Sequence, residues 1–256
     1  MSLWDTDTGE RLGTYKTGEF NSPRIDKISS SVDGTKILAA IQEMGGTIGP
    51  AGYTCGGVIW DAETGTILFS ELSSPTRSMS AYSNISISPS STMVAFGPGL
   101  YDLKTGDLIK QFPGHYIVFS PDEPILASVS TSTSHKVQIG LWDASTVQRI
   151  GFIEYGEQTD KSDPMEVPNV TFSPDGSMLA AITEYSGRLW NARTGEELGN
   201  LGPYAALLHA NERTVAFSPD GARLITLGDD YDLRAARMWD ISDFVRRAGI
   251  ESFLRY

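Results

Sequence analysis

One cysteine, Cys55, is all the thiol carried by 256 residues, so no disulfide can close within the chain, which fits a reducing compartment. No apolar run approaches the roughly 18 residues of a membrane-spanning helix. The first residues, Met1-Ser2-Leu3-Trp4-Asp5-Thr6-Asp7, lack the basic start and apolar core of a secretory signal. A cytoplasmic protein is therefore expected, with the nucleus left open. Basic residues are scarce too: 20 Lys and Arg against 32 Asp and Glu give a net charge of -12. That balance repels phosphate backbones and anionic lipid, and no local basic patch offsets it, so neither nucleic acid nor membrane is expected as a partner. Hydrophobic residues at 40% and charged residues at 20% are ordinary for a globular chain and argue against disorder.

What the chain does have is repetition. An aromatic followed by Asp or Asn recurs as Trp4-Asp5, Trp60-Asp61, Tyr101-Asp102, Trp142-Asp143, Trp190-Asn191 and Trp239-Asp240, at intervals of 56, 41, 41, 48 and 49 residues. Four of the six are followed three residues later by Thr-Gly, where glycine supplies the positive φ of a tight hairpin. A second turn recurs as Ser31-Val32-Asp33-Gly34, Ser88-Pro89-Ser90-Ser91, Ser120-Pro121-Asp122-Glu123, Ser173-Pro174-Asp175-Gly176 and Ser218-Pro219-Asp220-Gly221. Apolar residues alternate between these turns, the pattern of short strands in an antiparallel sheet.

These residues resemble the WD-repeat β-propeller family, whose blades carry a Ser-Pro-Asp-Gly turn after the first strand and Trp-Asp at the end of the third. The resemblance covers nearly the whole chain and implies an all-β propeller of four-stranded antiparallel blades. Five full blades are expected over residues 25–69, 82–112, 115–153, 168–201 and 212–246, with a partial one over Met1 to Thr17. One domain over 1–256 is expected, either with an incomplete sixth blade or as a piece of a longer array; residues 243–256 are expected as a tail or short helix. The aromatics Trp4, Trp60, Tyr101, Trp142, Trp190 and Trp239 are expected to pack between neighbouring blades as structural residues, together with Asp5, Asp61, Asp102, Asp143, Asn191 and Asp240. In the family a Gly-His can tie the blade together through an Asp and the Trp; only Gly114-His115 preserves it, with no Asp between Ser128 and Val137. That network is therefore not expected in the blades, and packing is expected to do more of the holding.

Both signature turns fall on one rim of a propeller, and the long irregular stretches belong to the other: Gln42 to Gly57, Glu71 to Tyr82, Thr131 to Lys136, Tyr155 to Val167 and Gly228 to Leu233. Loops on a rigid scaffold carry function. The candidate partner-binding residues there are Glu43, Tyr53, Tyr82, Tyr155, Glu157, Asp160, Asp229, Asp230 and Tyr231. Carboxylates beside aromatics suit a basic, partly apolar peptide or protein; a solvated acidic rim without a ligand is the competing reading.

Catalytic patterns are wanting. Asp160-Lys161-Ser162-Asp163 and Asp229-Asp230-Tyr231-Asp232 lack the central glycine and spacing of a calcium loop, and His115, His135 and His209 form no zinc pattern. Cys55 has no base at a recognisable spacing, and Gly45-Gly46-Thr47-Ile48-Gly49 has no following lysine. No metal or cofactor is expected. One rival remains: Asp5 to Glu10 is similar to the tail motif of quinone-dependent propeller dehydrogenases, but Gly13 and Gly199 stand where those enzymes place a docking tryptophan. The expectation is a non-enzymatic interaction scaffold, with a propeller enzyme or a passive spacer as alternatives.

Overall fold

The computed structural model describes residues 2–5, 7–15, 24–44, 53–72, 84–132, 136–155, 168–182, 186–203, 214–230 and 233–247. Each sheet in it is a meander of consecutive strands. A two-stranded sheet, β1 (Ser2–Trp4) and β2 (Arg11–Thr14), comes first. Three sheets of four antiparallel strands follow: β3 (Arg24–Ser30) to β6 (Ile67–Leu72), β7 (Ile85–Ile87) to β10 (Leu108–Gln111), and β11 (Tyr116–Phe119) to β14 (Arg149–Tyr155). A fourth such sheet runs from β15 (Asn169–Phe172) to β18 (Glu197–Pro203), and a last one holds β19 (Thr214–Phe217), β20 (Arg223–Asp230) and β21 (Leu233–Asp240). These are the blades that the repeats predict, numbered here from the partial blade through the fifth. In the fifth, the described chain turns after β21 into the helix α1 (Ser242–Arg247), where a fourth strand was expected before 246. Two compact units divide the molecule, Met1–Ile117 and Val118–Tyr256.

The second and third strands form each blade's dry centre. In the first blade β4 (Lys36–Met44) is paired along its length with β5 (Tyr53–Asp61), from Lys36↔Asp61 to Met44↔Tyr53. Strand therefore occupies both ends of the stretch expected as the loop Gln42 to Gly57. The second blade is the tight one: β8 (Met93–Phe96) reverses into β9 (Gly99–Asp102) through Gly97 and Pro98, with Gly97 at φ 52° and Phe96 opposite Gly99.

Ring contacts join successive blades within each unit. Tyr15, just after β2, meets Trp60 of the first blade edge-on at 6.0 Å and donates its hydroxyl to the Ala62 carbonyl at 2.6 Å. Phe69 on β6 meets Tyr101 of the second blade at 5.5 Å. In the second unit Tyr155 on β14 lies 4.7 Å from Trp190 of the fourth blade. The third-strand aromatic thus seats against a ring supplied by the end of the preceding blade, and Trp60 and Trp190 are buried to 0% and 2% exposure. Trp4 is the exception and corrects the expectation of six packed aromatics. It is 58% exposed.

Two tryptophans are also bonded, through hydroxyls rather than through the family's His and Asp. Trp142 Nε1 donates to Ser128 Oγ at 2.9 Å, and Trp239 Nε1 to Thr226 Oγ1 at 3.1 Å. Both acceptors sit on the second strand, two residues beyond the one paired with the tryptophan. Gly140 leaves room for the bond: a Cβ there would lie 2.7 Å from the indole nitrogen.

The helix α1 closes the fourth blade instead of lengthening the fifth. It packs on β18, and Phe244 fills the notch left by Gly199, where a Cβ would come within 2.6 Å of its ring. Phe244 joins Trp239, Leu198, Leu201 and Ile241 in one apolar cluster. The position without a docking tryptophan is thus occupied by a ring from elsewhere in the chain.

Trp60→Ala should lose about 3–5 kcal/mol, the range for an aromatic cut from a packed core, whereas Trp4→Ala should change stability by less than about 0.5 kcal/mol; chemical denaturation of both variants checks this. Two residues adopt the left-handed backbone that glycine holds in sister turns: Val147 at φ 56° and Ser91 at φ 55°, against φ 70° at Gly65 and 69° at Gly34. Ser91 also buries a hydroxyl oxygen with no hydrogen bond. Val147→Gly and Ser91→Gly should each raise stability by about 1 kcal/mol, read from the same denaturation curves.

Candidate functional site

Each blade sends its carboxylates to two ends, and those at the first end are already engaged. Asp143 Oδ1 accepts from the backbone of Ser145 and Thr146 at 2.9 and 2.7 Å and from both hydroxyls. Asp5, Asp61 and Asp102 hold their own turns in the same way, through Thr8 at 2.7 Å, Thr64 at 2.8 Å and Thr105 at 2.8 Å. Asn191 serves in the fourth blade, bonding Arg193 and Thr194 backbone at 2.9 and 3.0 Å. Asp240 instead accepts from Ser242, the first residue of α1, at 3.0 Å. The first signature turn is tied by its serine: Ser173 is buried, gives its hydroxyl to Asp175 at 2.7 Å and accepts the Met178 amide at 2.9 Å.

Within the second unit these turns also hold neighbouring blades. The Arg193 guanidinium is ion-paired with Glu123, and Gly176 stands so close to Ser120 that a Cβ would overlap its hydroxyl. This end is structural.

The opposite end, formed by the second-to-third hairpins, is where the candidate rim residues lie. Glu43 pairs with Thr54 at the end of the β4–β5 hairpin, one step before Met44↔Tyr53. In the fifth blade Asp229 pairs with Arg234 and Asp230 with Leu233, so strand again continues through much of the stretch expected as a loop. Tyr82, Glu157, Asp160 and Tyr231 lie outside the described residues. Tyr155 leaves the candidate set as a correction: it is 6% exposed, its ring packs at a tilt against Trp190, and the Arg188 guanidinium lies 5.7 Å above it. Its place at the end of a strand, next to a long irregular stretch, made it look like a rim residue; its ring belongs to the joint between blades. Arg188 in turn pairs with Glu197 at 2.7 Å. At the same end of the third blade Glu154 holds Lys136 at 3.1 Å and Gln138 at 2.8 Å.

Sequence reasoning passed over the outermost strands. Leu108 and Ile109 on β10 and Ile150 and Phe152 on β14 are 44–53% exposed, with Arg149 stacked 5.8 Å from the Phe152 ring. Their alternation matches that of any half-buried strand, so no sequence signal separates them. Among the described residues there is no cluster of metal-ligating side chains, and Cys55 is buried. No described helix is long and apolar enough to cross a membrane.

No family model matches the chain, and no curated protein does. Solved structures do. The Dos1 propeller is similar with a TM-score of 0.57 at 17% identity over 94% of this chain and 62% of that one. The β-propeller domain of the Trilobed protease from Pyrococcus furiosus gives 0.53 at 12% identity, over 86% of this chain and 70% of that one. TolB from Acinetobacter baumannii gives 0.53 at 17%, over 95% and 57%. The chain thus spans about three fifths of the Dos1 and TolB chains. Together with the repeated meanders, these likenesses define the fold as an all-β propeller.

Asp143 and Asp33 are held down to about 2 from the ordinary 3.8, Asp143 chiefly by the Ser145 hydroxyl and Asp33 chiefly by that of Ser31. A depressed carboxylate stabilises the folded state fully above its unfolded value and loses that contribution as pH falls through the folded one. The denaturation midpoint should therefore drop between the ordinary 3.8 and about 2. Asp143→Asn keeps the acceptor oxygen, as Asn191 does naturally, and should make that drop shallower; an unchanged slope would contradict the assignment.

Proposed function

We propose that this chain is a WD-repeat-type, non-enzymatic scaffold that presents the second-to-third-hairpin rim of its blades to partner proteins. The observation that carries this is the division of the carboxylates. Asp5, Asp61, Asp102 and Asp143 are consumed by their own turns. Glu43, Asp229 and Asp230 lie instead at hairpin ends, Glu43 one step from the Met44↔Tyr53 pair and Asp230 next to Tyr231 in sequence. Their charge, in a chain of net -12, favours a basic partner with some apolar surface. Rigid hairpins set the spacing of such a surface without ordering cost on binding. Fold alone is a weak guide to activity in propellers, so the reading rests on residue placement.

Replacing Asp229, Asp230 and Tyr231 together by Asn, Asn and Ala tests it by affinity capture with quantitative mass spectrometry. Basic partners held by the parent chain should be depleted in the variant, most clearly at low salt and less so as salt screens the rim charges; identical capture by the two proteins would discard the rim.

A further inference from the structure

One register position on the outer strands changes its occupant from sheet to sheet. It is the residue paired with the apolar side chain just before each third-strand aromatic: Gly13 opposite Leu3, Phe69 opposite Ile59, Lys110 opposite Leu100, Gly151 opposite Leu141 and Gly199 opposite Leu189. Phe69 fills its own place, and its ring meets Tyr101 of the next blade at 5.5 Å. Over Gly13 and Gly151 the cover is local: where a Cβ would stand, Tyr15 lies at 3.8 Å and Leu141 at 3.2 Å. Over Gly199 it comes from outside every sheet. The Phe244 ring of α1 stands 2.6 Å from that point, nearer than van der Waals contact allows, so it occupies the space of the missing side chain.

A ring held in this way differs from one carried on a strand. The strands of the fourth blade are fixed by ladder bonds along their lengths, whereas α1 has six residues, too few for a helix to persist by itself. Ile241 anchors its start, fully buried and with its amide donating to the Ala222 carbonyl at 3.0 Å. Beyond it Ser242 is half-buried, Asp243 is exposed, and Phe244 enters the apolar cluster that holds Leu198 and Leu201. We infer that α1 is a clasp built into the fold: Phe244 seats reversibly in the Gly199 notch, and α1 docks on and lifts from β18 about Ile241 while the sheets of the fourth and fifth blades stay intact. Such a motion is a local opening, below global unfolding in free energy. The position of α1 then sets how much apolar surface β18 shows to solvent. None of the proposed rim residues takes part, so the clasp stands or falls apart from the binding function.

The test uses the full chain with 4-fluorophenylalanine in place of Phe244, followed by fluorine NMR. In the parent, relaxation dispersion should show a seated resonance exchanging with a minor one near the free-peptide shift. Gly199→Phe gives β18 the ring that β6 carries at Phe69, at a backbone position outside the left-handed region. It should move the resonance wholly to the free shift. Phe244→Ala, in a chain without the label, should speed amide hydrogen exchange over residues 242–247 roughly tenfold or more and leave β18 and β21 protected. A parent resonance without exchange, a Gly199→Phe resonance still at the seated shift, or protection lost across β18 and β21 together with α1 in either variant would each overturn the inference. The last outcome would make Phe244 an ordinary part of the core shared by the two blades.

Discussion

A blade of this chain is finished by its neighbour. Four antiparallel strands bury their second and third members well, but the third-strand aromatic is larger than its own sheet can cover. Trp60 is closed by Tyr15 and Trp190 by Tyr155, each a ring from the end of the blade before. Burying such a ring contributes about 1.5–3 kcal/mol, and the paired geometry adds about 0.5–1.5 kcal/mol. Trp4, with no described ring against it, is 58% exposed. Stability is thus nearest-neighbour in kind, as expected for stacked repeats.

The turns set the blades' geometry so that this contact can recur. A carboxylate or amide oxygen caps each third-to-fourth turn, and a buried serine closes the first turn in the way Ser173 does. The turn aspartates bond local backbone and hydroxyls, and the proposed function therefore looks to the opposite hairpins. Architecture and the proposed function are linked at this point: the same repeat that builds the scaffold uses up one end of it.

Much of this was legible in the sequence. Six aromatic-Asp or aromatic-Asn pairs and five Ser-x-x-x turns locate every blade to within a few residues, because turn residues need specific φ and side-chain acceptors that leave a mark in the chain. Less legible was anything depending on a partner far away in sequence. Ser128 and Thr226 look like ordinary polar residues in apolar strands, though a lone hydroxyl in such a run is a signal that could have been used. Tyr155 read as a rim residue since strand ends and loops share the same composition. Gly199 read as a missing docking position, while its filling by Phe244 lies 45 residues downstream. Chemistry and loop length alone mark the candidate rim side chains in the sequence, and strand continuation at Met44↔Tyr53 and Asp230↔Leu233 makes these loops shorter than the sequence suggests.

The claim on which the rest depends is that adjoining blades stabilise each other through the third-strand aromatic. A double-mutant cycle between Tyr155 and Trp190, each replaced by leucine, measures it directly by chemical denaturation. Coupling of about 1 kcal/mol, the value for a packed aromatic pair, is the predicted result. Strict additivity of the two substitutions would contradict the account.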